Sequence, residues 1–340
     1  MDPYGLRRVI SPPGVLPQRA DRLDPTLPLG EDELSIDVEA LNVDAASFRQ
    51  IEATVGRDPA RIAAEITRIV AERGKLQNPV TGSGGMLIGR VHAVGPRHPA
   101  AGVLAPGARV ATLVSLTLTP LRLDAISAVR PEVDRIECRG QAILFATGLW
   151  ARLPDDLSET LALAALDVCG APALVARHAR PGQRVLVLGA GKSGALVAVQ
   201  ARERLGATGW LAAADRSPGA LEALAGLGVC DQTLELDATD AVGSLARVES
   251  AGGGFDLVVN CASVPGTEMA ALLSVKDGGT VVFFSMATSF TGVALGAEGV
   301  GKDATLLVGN GYLPGHADLT LDLLRRHPRL RALFESRYAR

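Results

Sequence analysis

The sequence R-V-L-V-L-G-A-G-K-S-G occupies residues 184–194 and joins an aliphatic run to three glycines spaced G-x-G-x-x-G. The glycines are Gly189, Gly191 and Gly194, and an amphipathic stretch follows over residues 195–205. In a strand–turn–helix unit the first glycine permits the turn, the second lets backbone approach a pyrophosphate, and the third lets the helix pack on the strand. The helix N-terminus adds free N–H groups for an anion. The segment therefore predicts a dinucleotide-binding unit.

Further strands are predicted downstream of the glycines. Residues 210–214 form an apolar run that ends in Asp215, about 20 residues beyond the glycines, where a carboxylate can bind ribose hydroxyls. Residues 255–262, 279–286 and 305–309 read as buried parallel strands, separated by helical stretches such as residues 267–275. Ligands bind beyond the carboxyl ends of such strands. The residues predicted to contact the cofactor are Gly189, Gly191, Lys192, Ser193, Gly194, Asp215, Arg216, Ser263 and Met286.

NAD is the predicted cofactor, because the charge of Asp215 would repel a ribose 2′-phosphate. Arg216 follows directly and could face that phosphate, so NADP stays open as the second choice. Ser217 is predicted to cap a helix that starts at Pro218. Lys192 either touches the pyrophosphate or is solvated. The alternatives to a nicotinamide site are a P-loop-like site, a flavin site, or a fold that has lost its cofactor.

Composition excludes several classes of protein. A chain of 340 residues with 47% hydrophobic residues suggests about two domains and ample core. A formal net charge of −3 gives no electrostatic reason to expect nucleic acid or an anionic membrane as partner. We find no signal-peptide run and no apolar stretch of the roughly 18 to 20 residues that a bilayer requires. The four cysteines are scattered without a C-x-x-C pair, which favours reduced thiols in a cytoplasmic protein.

The chain is predicted to be α/β and to have three parts. Residues 1–155 carry short alternating runs, such as 34–41 and 86–95, which are typical of a twisted, barrel-like β domain. One helix over residues 59–73 interrupts this part. Residues 156–315 form a dinucleotide-binding domain. It begins with a helix over residues 159–178, which leads into the nucleotide-binding unit at Gly182. Residues 316–340 form the tail, with a last amphipathic helix over 316–324.

This layout resembles the medium-chain dehydrogenase/reductase superfamily over nearly the whole chain. Residues 85–95 are similar to a barrel strand of that superfamily, and residues 105–111, A-P-G-A-R-V-A, are similar to its P-G-D-R-V strand opening. The resemblance implies a β-rich GroES-like catalytic domain followed by a Rossmann domain with a doubly wound parallel sheet. The zinc ligands of many members are missing, because residues 41–47 lack a cysteine and T-G-S-G-G at 81–85 replaces the G-H-E motif. We therefore expect no metal.

A closer resemblance is to the L-erythro-3,5-diaminohexanoate dehydrogenase family. It rests on residues 4–17, 41–48 and 166–172, and above all on the block E-R-G-K-L-Q-N-P-V-T-G-S-G-G-M-L-I-G at 72–89. The family implies an NAD(P)-dependent oxidative deamination in lysine degradation, which releases the 3-amino group as ammonia. Hydride would leave C3 of a neutral amine, so the site needs a base.

Two residues are the candidate catalytic groups. Lys75 could be a desolvated base with a lowered pKa, or a solvated lysine at the C-terminal end of a helix. Asp44 could receive a substrate ammonium, or cap a helix that starts at Ala45. Both alternatives stay open from the sequence.

The other candidates are predicted to bind the substrate. Asp167 lies in an apolar helical stretch, so it is expected to be a buried charge with a partner, and it could meet the second ammonium. Thr81 and Ser83 could bind the substrate carboxylate, or belong to a flexible turn. Asn42 and Asn310 could orient the amine or water, or satisfy local backbone.

Two rival functions remain open on sequence grounds. One is a zinc-independent, NADPH-dependent enoyl or quinone reductase, which predicts an apolar pocket rather than charged groups. The other is a catalytically inactive, cofactor-sensing protein. The expected partners are a small diamino acid and a second copy of the chain, joined through the edge strand at 305–309 by analogy with the superfamily.

Overall fold

The computed structural model describes residues 2–309 and 311–338, and the chain divides into two compact units between Asp155 and Asp156. Each unit has its own sheet and its own apolar core. Asn310, one of the predicted substrate-binding residues, lies outside the described residues.

The first unit is built on antiparallel strands. Six of them pair in the order β6-β7-β3-β4-β5-β8, while β1 and β2 form a separate pair. The elements are β1 (Val9–Ser11), β2 (Arg22–Leu23), β3 (Glu33–Val43), α1 (Ala45–Val55), α2 (Pro59–Arg73), β4 (Gly85–Val94), β5 (Arg109–Thr112), β6 (Leu121–Arg130), β7 (Arg135–Phe145) and β8 (Trp150–Arg152), with 3₁₀ turns at Leu6–Arg8, Leu116–Leu118 and Pro131–Val133.

The helix predicted over residues 59–73 is confirmed as α2. Asp58 accepts hydrogen bonds from two backbone N–H groups of its first turn, and Gly74 ends it at φ 63°, a left-handed conformation that glycine adopts without strain. Its buried face carries Ile62, Ile66, Ile69 and Val70, at the spacing of one helical stripe. Helix α2 contacts β6, so this stripe closes the core of the first unit.

The second unit is a parallel sheet with helices between its strands. Its six strands run in the order β11-β10-β9-β12-β13-β14, the 3-2-1-4-5-6 order of a Rossmann fold, and the order reverses between β9 and β12. The elements are α3 (Glu159–Leu166), α4 (Gly170–His178), β9 (Arg184–Leu188), α5 (Lys192–Leu205), β10 (Trp210–Asp215), α6 (Pro218–Ala225), β11 (Gln232–Glu235), α7 (Ala241–Ser250), β12 (Phe255–Asn260), α8 (Glu268–Ser274), β13 (Val275–Phe283), α9 (Phe290–Gly299), β14 (Ala304–Val308), α10 (His316–Arg326) and α11 (Pro328–Arg337).

One helix prediction in this unit was wrong, and two others were shorter than the observed helices. The helix expected over 159–178 is two helices, α3 and α4, bent by 52°. Pro172 explains the break, because its ring has no N–H and clashes with the carbonyl four residues earlier. Helix α5 begins at Lys192 rather than at residue 195. The tail has a longer α10 and a further helix, α11, which Pro328 opens.

Across the described residues, no single helix is both long enough and apolar enough to cross a membrane; α3 and α4 together pass that test only as a bent pair, on length and composition.

Candidate cofactor and substrate sites

The three glycines of the 184–194 segment differ in what surrounds them. Gly189 has φ 97°, and a Cβ there would lie 2.9 Å from the backbone N of Ala262. A Cβ on Gly194 would lie 1.9 Å from the carbonyl oxygen of Gly189, so only glycine lets α5 pack on this turn. A Cβ on Gly191 would meet no atom within 4 Å. The fold itself requires the first and third glycines, whereas the second fits a backbone that a ligand must approach.

Asp215 ties the glycine turn to the next helix. Its Oδ2 accepts from the backbone N–H of Ala190 at 2.7 Å, and its Oδ1 accepts from that of Ser217 at 2.8 Å. Ser217 caps α6 through a hydrogen bond from the N–H of Ala220, as predicted. Arg216 is exposed, and its charge joins hydrogen bonds from Thr239 in lowering the pKa of Asp237. The charge of Arg216 therefore acts on Asp237 as well as lying next to Asp215 in the sequence.

Lys192 and Asp167 form a salt bridge. The expectation of a partner for Asp167 is confirmed, but the expectation of burial is wrong, because its side chain is 55% exposed in the break between α3 and α4. Lys192 is thus paired rather than simply solvated, and its contact with a pyrophosphate stays a prediction. Ser193 hydrogen-bonds the thiol of buried Cys261, whose pKa burial raises to about 12.

Polar groups follow the carboxyl ends of β12 and β13. Asn260 is completely buried; its Nδ2 donates to Thr267 Oγ1 at 2.8 Å and its Oδ1 accepts from the N–H of Ala262 at 3.1 Å. Thr288 Oγ1 is buried with no hydrogen-bond partner. The predicted residues Ser263 and Met286 lie in the same two loops and are exposed, Met286 at 91%. Asn260 was not predicted from the sequence, although an asparagine that ends an apolar run was a usable signal.

In the first unit, Asp44 caps α1. Its Oδ1 accepts from the backbone N–H groups of Ala46 and Ser47, both at 3.1 Å, so the capping interpretation is confirmed. Its Oδ2 is buried and has no hydrogen-bond partner among the described residues, and the same holds for Oδ1 of Asn42 at the end of β3. Buried polar oxygens are nearly always paired in proteins. Two such acceptors within three residues mark this end of β3 as a place where a donor from a ligand could bind.

Beside Asp44 lies a hydroxyl cluster, formed by Ser47, Thr81 and Ser83. The oxygen of Ser47 lies 2.6 Å from that of Thr81 and 2.8 Å from that of Ser83, and the third distance is 3.0 Å. Three hydroxyls that bond one another in a ring use their three hydrogens and leave lone pairs directed outward. The hydroxyl cluster therefore offers acceptors, which suit an ammonium better than a carboxylate.

The loop that carries Thr81 and Ser83 is held by Asn78. The Oδ1 of Asn78 accepts from the N–H groups of Val80 and Thr81 at 2.8 and 3.2 Å, and its Nδ2 donates to Gln50 Oε1 at 2.7 Å. Asn78 itself is buried. These bonds disfavour a flexible turn. Ser47 and Asn78 were not predicted from the sequence as site residues.

Lys75 is completely buried in the first unit. Its ammonium donates to the carbonyl oxygens of Thr117, Pro17 and Gln18 at 2.7, 2.8 and 3.4 Å. The solvated alternative is therefore wrong. Burial lowers the pKa of Lys75 to about 8, with a smaller contribution from the charge of Arg73, and such a pKa would suit a base. The zero exposure and the three carbonyl partners argue instead for an anchoring role.

Within residues 2–309 and 311–338, no group of three histidine, cysteine, aspartate or glutamate side chains is placed to hold a metal ion. The glycine turn, the start of α5 and Asp215 fit a dinucleotide, since each supplies what a pyrophosphate or ribose needs.

Solved structures with the same fold define the class. They include a mycobacterial protein solved in complex with NADPH (TM-score 0.53, 19% identity, 93% of this chain and 84% of that one). They also include a quinone oxidoreductase of Pseudomonas syringae pv. Tomato DC3000 (TM-score 0.54, 18% identity, 96% and 94%). The chain thus has the fold of the medium-chain dehydrogenases and reductases.

Within that class the comparisons are more specific. Residues 7–154 match the family model of the L-erythro-3,5-diaminohexanoate dehydrogenase N-terminal domain. Curated proteins named L-erythro-3,5-diaminohexanoate dehydrogenase, from Acetoanaerobium sticklandii and Fusobacterium nucleatum, are each 49% identical over 98% of this chain and 98% of their own length. The chain belongs to the L-erythro-3,5-diaminohexanoate dehydrogenase family.

Proposed function

We propose that the protein oxidises L-erythro-3,5-diaminohexanoate to 5-amino-3-oxohexanoate. The substrate ammonium, NAD(P)⁺ and water give the ketone, an ammonium ion, NAD(P)H and one proton. The observation that carries this proposal is the 49% identity, over nearly the full length, to proteins of that name. The polar first-unit site, with its unpaired acceptors, supports a charged substrate rather than an apolar enone.

The cofactor is proposed to bind at the glycine turn. When bound, its nicotinamide takes the hydride from C3 of the substrate. Gly191 and the first N–H groups of α5 would face the pyrophosphate, and Asp215 would face the adenosine ribose. Ser263 and Met286 would line the same edge of the sheet. We propose NAD as the preferred cofactor because of Asp215, with NADP admitted by cations near it.

Asp44 is the proposed catalytic carboxylate. Its Oδ1 is fixed by the cap of α1, which leaves the buried and unpartnered Oδ2 to take a proton from the 3-ammonium and to return it to the leaving ammonia. Asn42, with an equally unpartnered oxygen, would orient the amine or the attacking water. We propose Lys75 as the anchor of this region rather than as the base.

The hydroxyl cluster is the proposed receptor for a substrate ammonium. Its outward lone pairs match the N–H donors of such a group, which reverses our expectation that Thr81 and Ser83 bind the carboxylate. Asp167 is a weaker proposal for the second ammonium, because Lys192 already pairs with it. Asn310 is kept as a proposed substrate contact on the sequence alone.

A homodimer joined through β14 is also proposed. This strand ends the parallel sheet, and its Val308 is 59% exposed. The free thiols of all four cysteines fit a reducing cytoplasm, our proposed location. Light scattering coupled to gel filtration would show the mass of one chain if the dimer is wrong.

The deciding experiment measures NAD(P)H formation with L-erythro-3,5-diaminohexanoate, 3-aminobutanoate and lysine, each with NAD and with NADP. Ammonia is assayed in parallel, and a chelator is added as a control. We expect chelator-resistant turnover of the diamino acid, with one ammonia for each NAD(P)H. Cofactor binding without turnover of any amine would refute the proposal, and reduction of an unsaturated ketone by NADPH would replace it.

A further inference from the structure

The last helix of the chain, α11, reaches the part of the second unit where the adenosine ribose is expected. It contacts α3, α5 and α10, and its Phe334 is completely buried. At its end, Nη2 of Arg337 donates to the carbonyl oxygen of Gly219 at 3.0 Å. Gly219 belongs to the first turn of α6, directly after the segment that carries Asp215 and Arg216. The end of α11 is thereby fixed beside that segment.

Tyr338 follows Arg337 and is also held in place. Its ring meets that of Phe334 edge-on, with centroids 5.0 Å apart and planes at 69°. Burial raises the pKa of Tyr338; a hydrogen bond and the charge of Arg337 oppose the rise, and the negative charge of Asp215 adds to it. Tyr338 directly follows Arg337, whose bond to the Gly219 carbonyl places this end of the helix beside the segment that carries Asp215.

The charges near Asp215 affect whether the 2′-phosphate of NADP can bind. Asp215 alone would repel a 2′-phosphate, whereas the charge of Arg216 also acts on Asp237, where it adds to the hydrogen bonds from Thr239 in lowering the pKa. Arg337 is an exposed guanidinium whose orientation is set by a backbone carbonyl. A planar, pre-oriented guanidinium is well suited to bind a phosphate through paired N–H groups.

We propose that α11 forms part of the cofactor site, with Tyr338 flanking the adenosine and Arg337 supplying the cation that admits the 2′-phosphate of NADP. This inference rests on the dinucleotide site of the proposed function. It makes the C-terminal helix a determinant of cofactor choice, separate from the glycine turn.

The test uses the full chain and two probes that differ only in the 2′-phosphate: adenosine 5′-monophosphate and adenosine 2′,5′-bisphosphate. Calorimetry should show that Arg337→Gln weakens binding of the bisphosphate about tenfold, because one charge-assisted hydrogen bond is lost. Binding of the monophosphate should weaken less than about twofold. Tyr338→Ala should weaken both probes. Arg331→Gln is the matched control, because Arg331 lies on the same helix and pairs with Glu335; it should change neither.

Equal affinities of the Arg337→Gln variant and the native chain for the bisphosphate would overturn the inference, as would an equal loss for both probes. Because Arg337 is exposed, the Arg337→Gln variant should have the same melting temperature as the native chain. The calorimetric measurements contain no amine substrate. If the affinity for the bisphosphate changes as expected but the protein does not deaminate the diamino acid, only the proposed reaction is wrong. Deamination with unchanged binding would count against the role of α11 alone.

Discussion

The ammonium of Lys75 donates a 2.7 Å hydrogen bond to the carbonyl oxygen of Thr117, 42 residues further along the chain. A second bond, 2.8 Å long, goes to the carbonyl of Pro17. One buried side chain thus joins an N-terminal loop to the 3₁₀ turn at Leu116–Leu118, next to the loop that carries the hydroxyl cluster.

Lys75→Met should destabilise the protein rather than disable its chemistry. The variant leaves carbonyl oxygens buried without donors, which should lower the free energy of unfolding by about 2 to 4 kcal/mol, measured by urea denaturation. The folded fraction should keep most of its kcat. Lys276→Met is the control, because Lys276 is half-exposed and pairs with Asp256 at the surface, and should cost less than about 1 kcal/mol. A stable Lys75→Met variant with a large loss of kcat would instead make Lys75 the base.

Asp44→Asn should separate helix capping from chemistry. Asparagine caps a helix about as well as aspartate, so the melting temperature should hardly change. Loss of the carboxylate should lower kcat/KM about a hundredfold or more, measured by NAD(P)H formation. Asp58→Asn is the matched control, because Asp58 caps α2 with the same pair of bonds and is exposed. Full activity of the Asp44→Asn variant would remove Asp44 from the mechanism.

The parts of the fold that the sequence predicted are those with local signals. The bounds of α2 follow from Asp58, Pro59 and Gly74, which are cap residues at fixed positions. The glycine turn is equally local. Strand β11 and helix α11 were missed. In α11 four of the ten residues are charged and the buried ones are Leu330 and Phe334, which gives a weak apolar period.

The site was predicted less completely for a physical reason. Asp44, Thr81 and Ser83 were named, but Ser47 meets them across 34 and 36 residues of sequence, a relation that only the folded sheet creates. The surroundings of Lys75 consist of backbone carbonyls, and backbone carries no residue-type signal. Burial of that lysine therefore could not be distinguished from exposure at a helix end.

Alanine substitutions at Gly191 and Gly194 should affect different properties: the first should weaken cofactor binding, and the second should destabilise the fold. Among the described residues no atom lies within 4 Å of a Cβ built on Gly191, so Gly191→Ala should fold normally and raise the Kd for NAD(P)H at least about tenfold, measured by fluorescence titration. Gly194→Ala should instead lower the free energy of unfolding by about 2 kcal/mol or more, because the Cβ would press on the Gly189 carbonyl. In an ordinary helix interior the same change stabilises. Unchanged cofactor binding in Gly191→Ala would place the pyrophosphate elsewhere.

Protonation of Glu33 in acid should lower the free energy of unfolding. Burial alone would raise its pKa, but hydrogen bonds from Arg8, Arg7 and the N–H of Gly30 outweigh burial and lower the pKa from 4.5 to about 2. Because the folded pKa is the lower one, the stabilisation is complete above about pH 4.5 and is lost as the pH falls through about 2, with a total of about 3 kcal/mol. Urea unfolding should show that Glu33→Gln is less stable than the native chain near neutrality, and that the gap narrows below about pH 4.5. Glu31→Gln, at an exposed ion pair, is the control and should leave the acid dependence intact. A gap that stays constant with pH would mean that Glu33 titrates alike in the folded and unfolded chains.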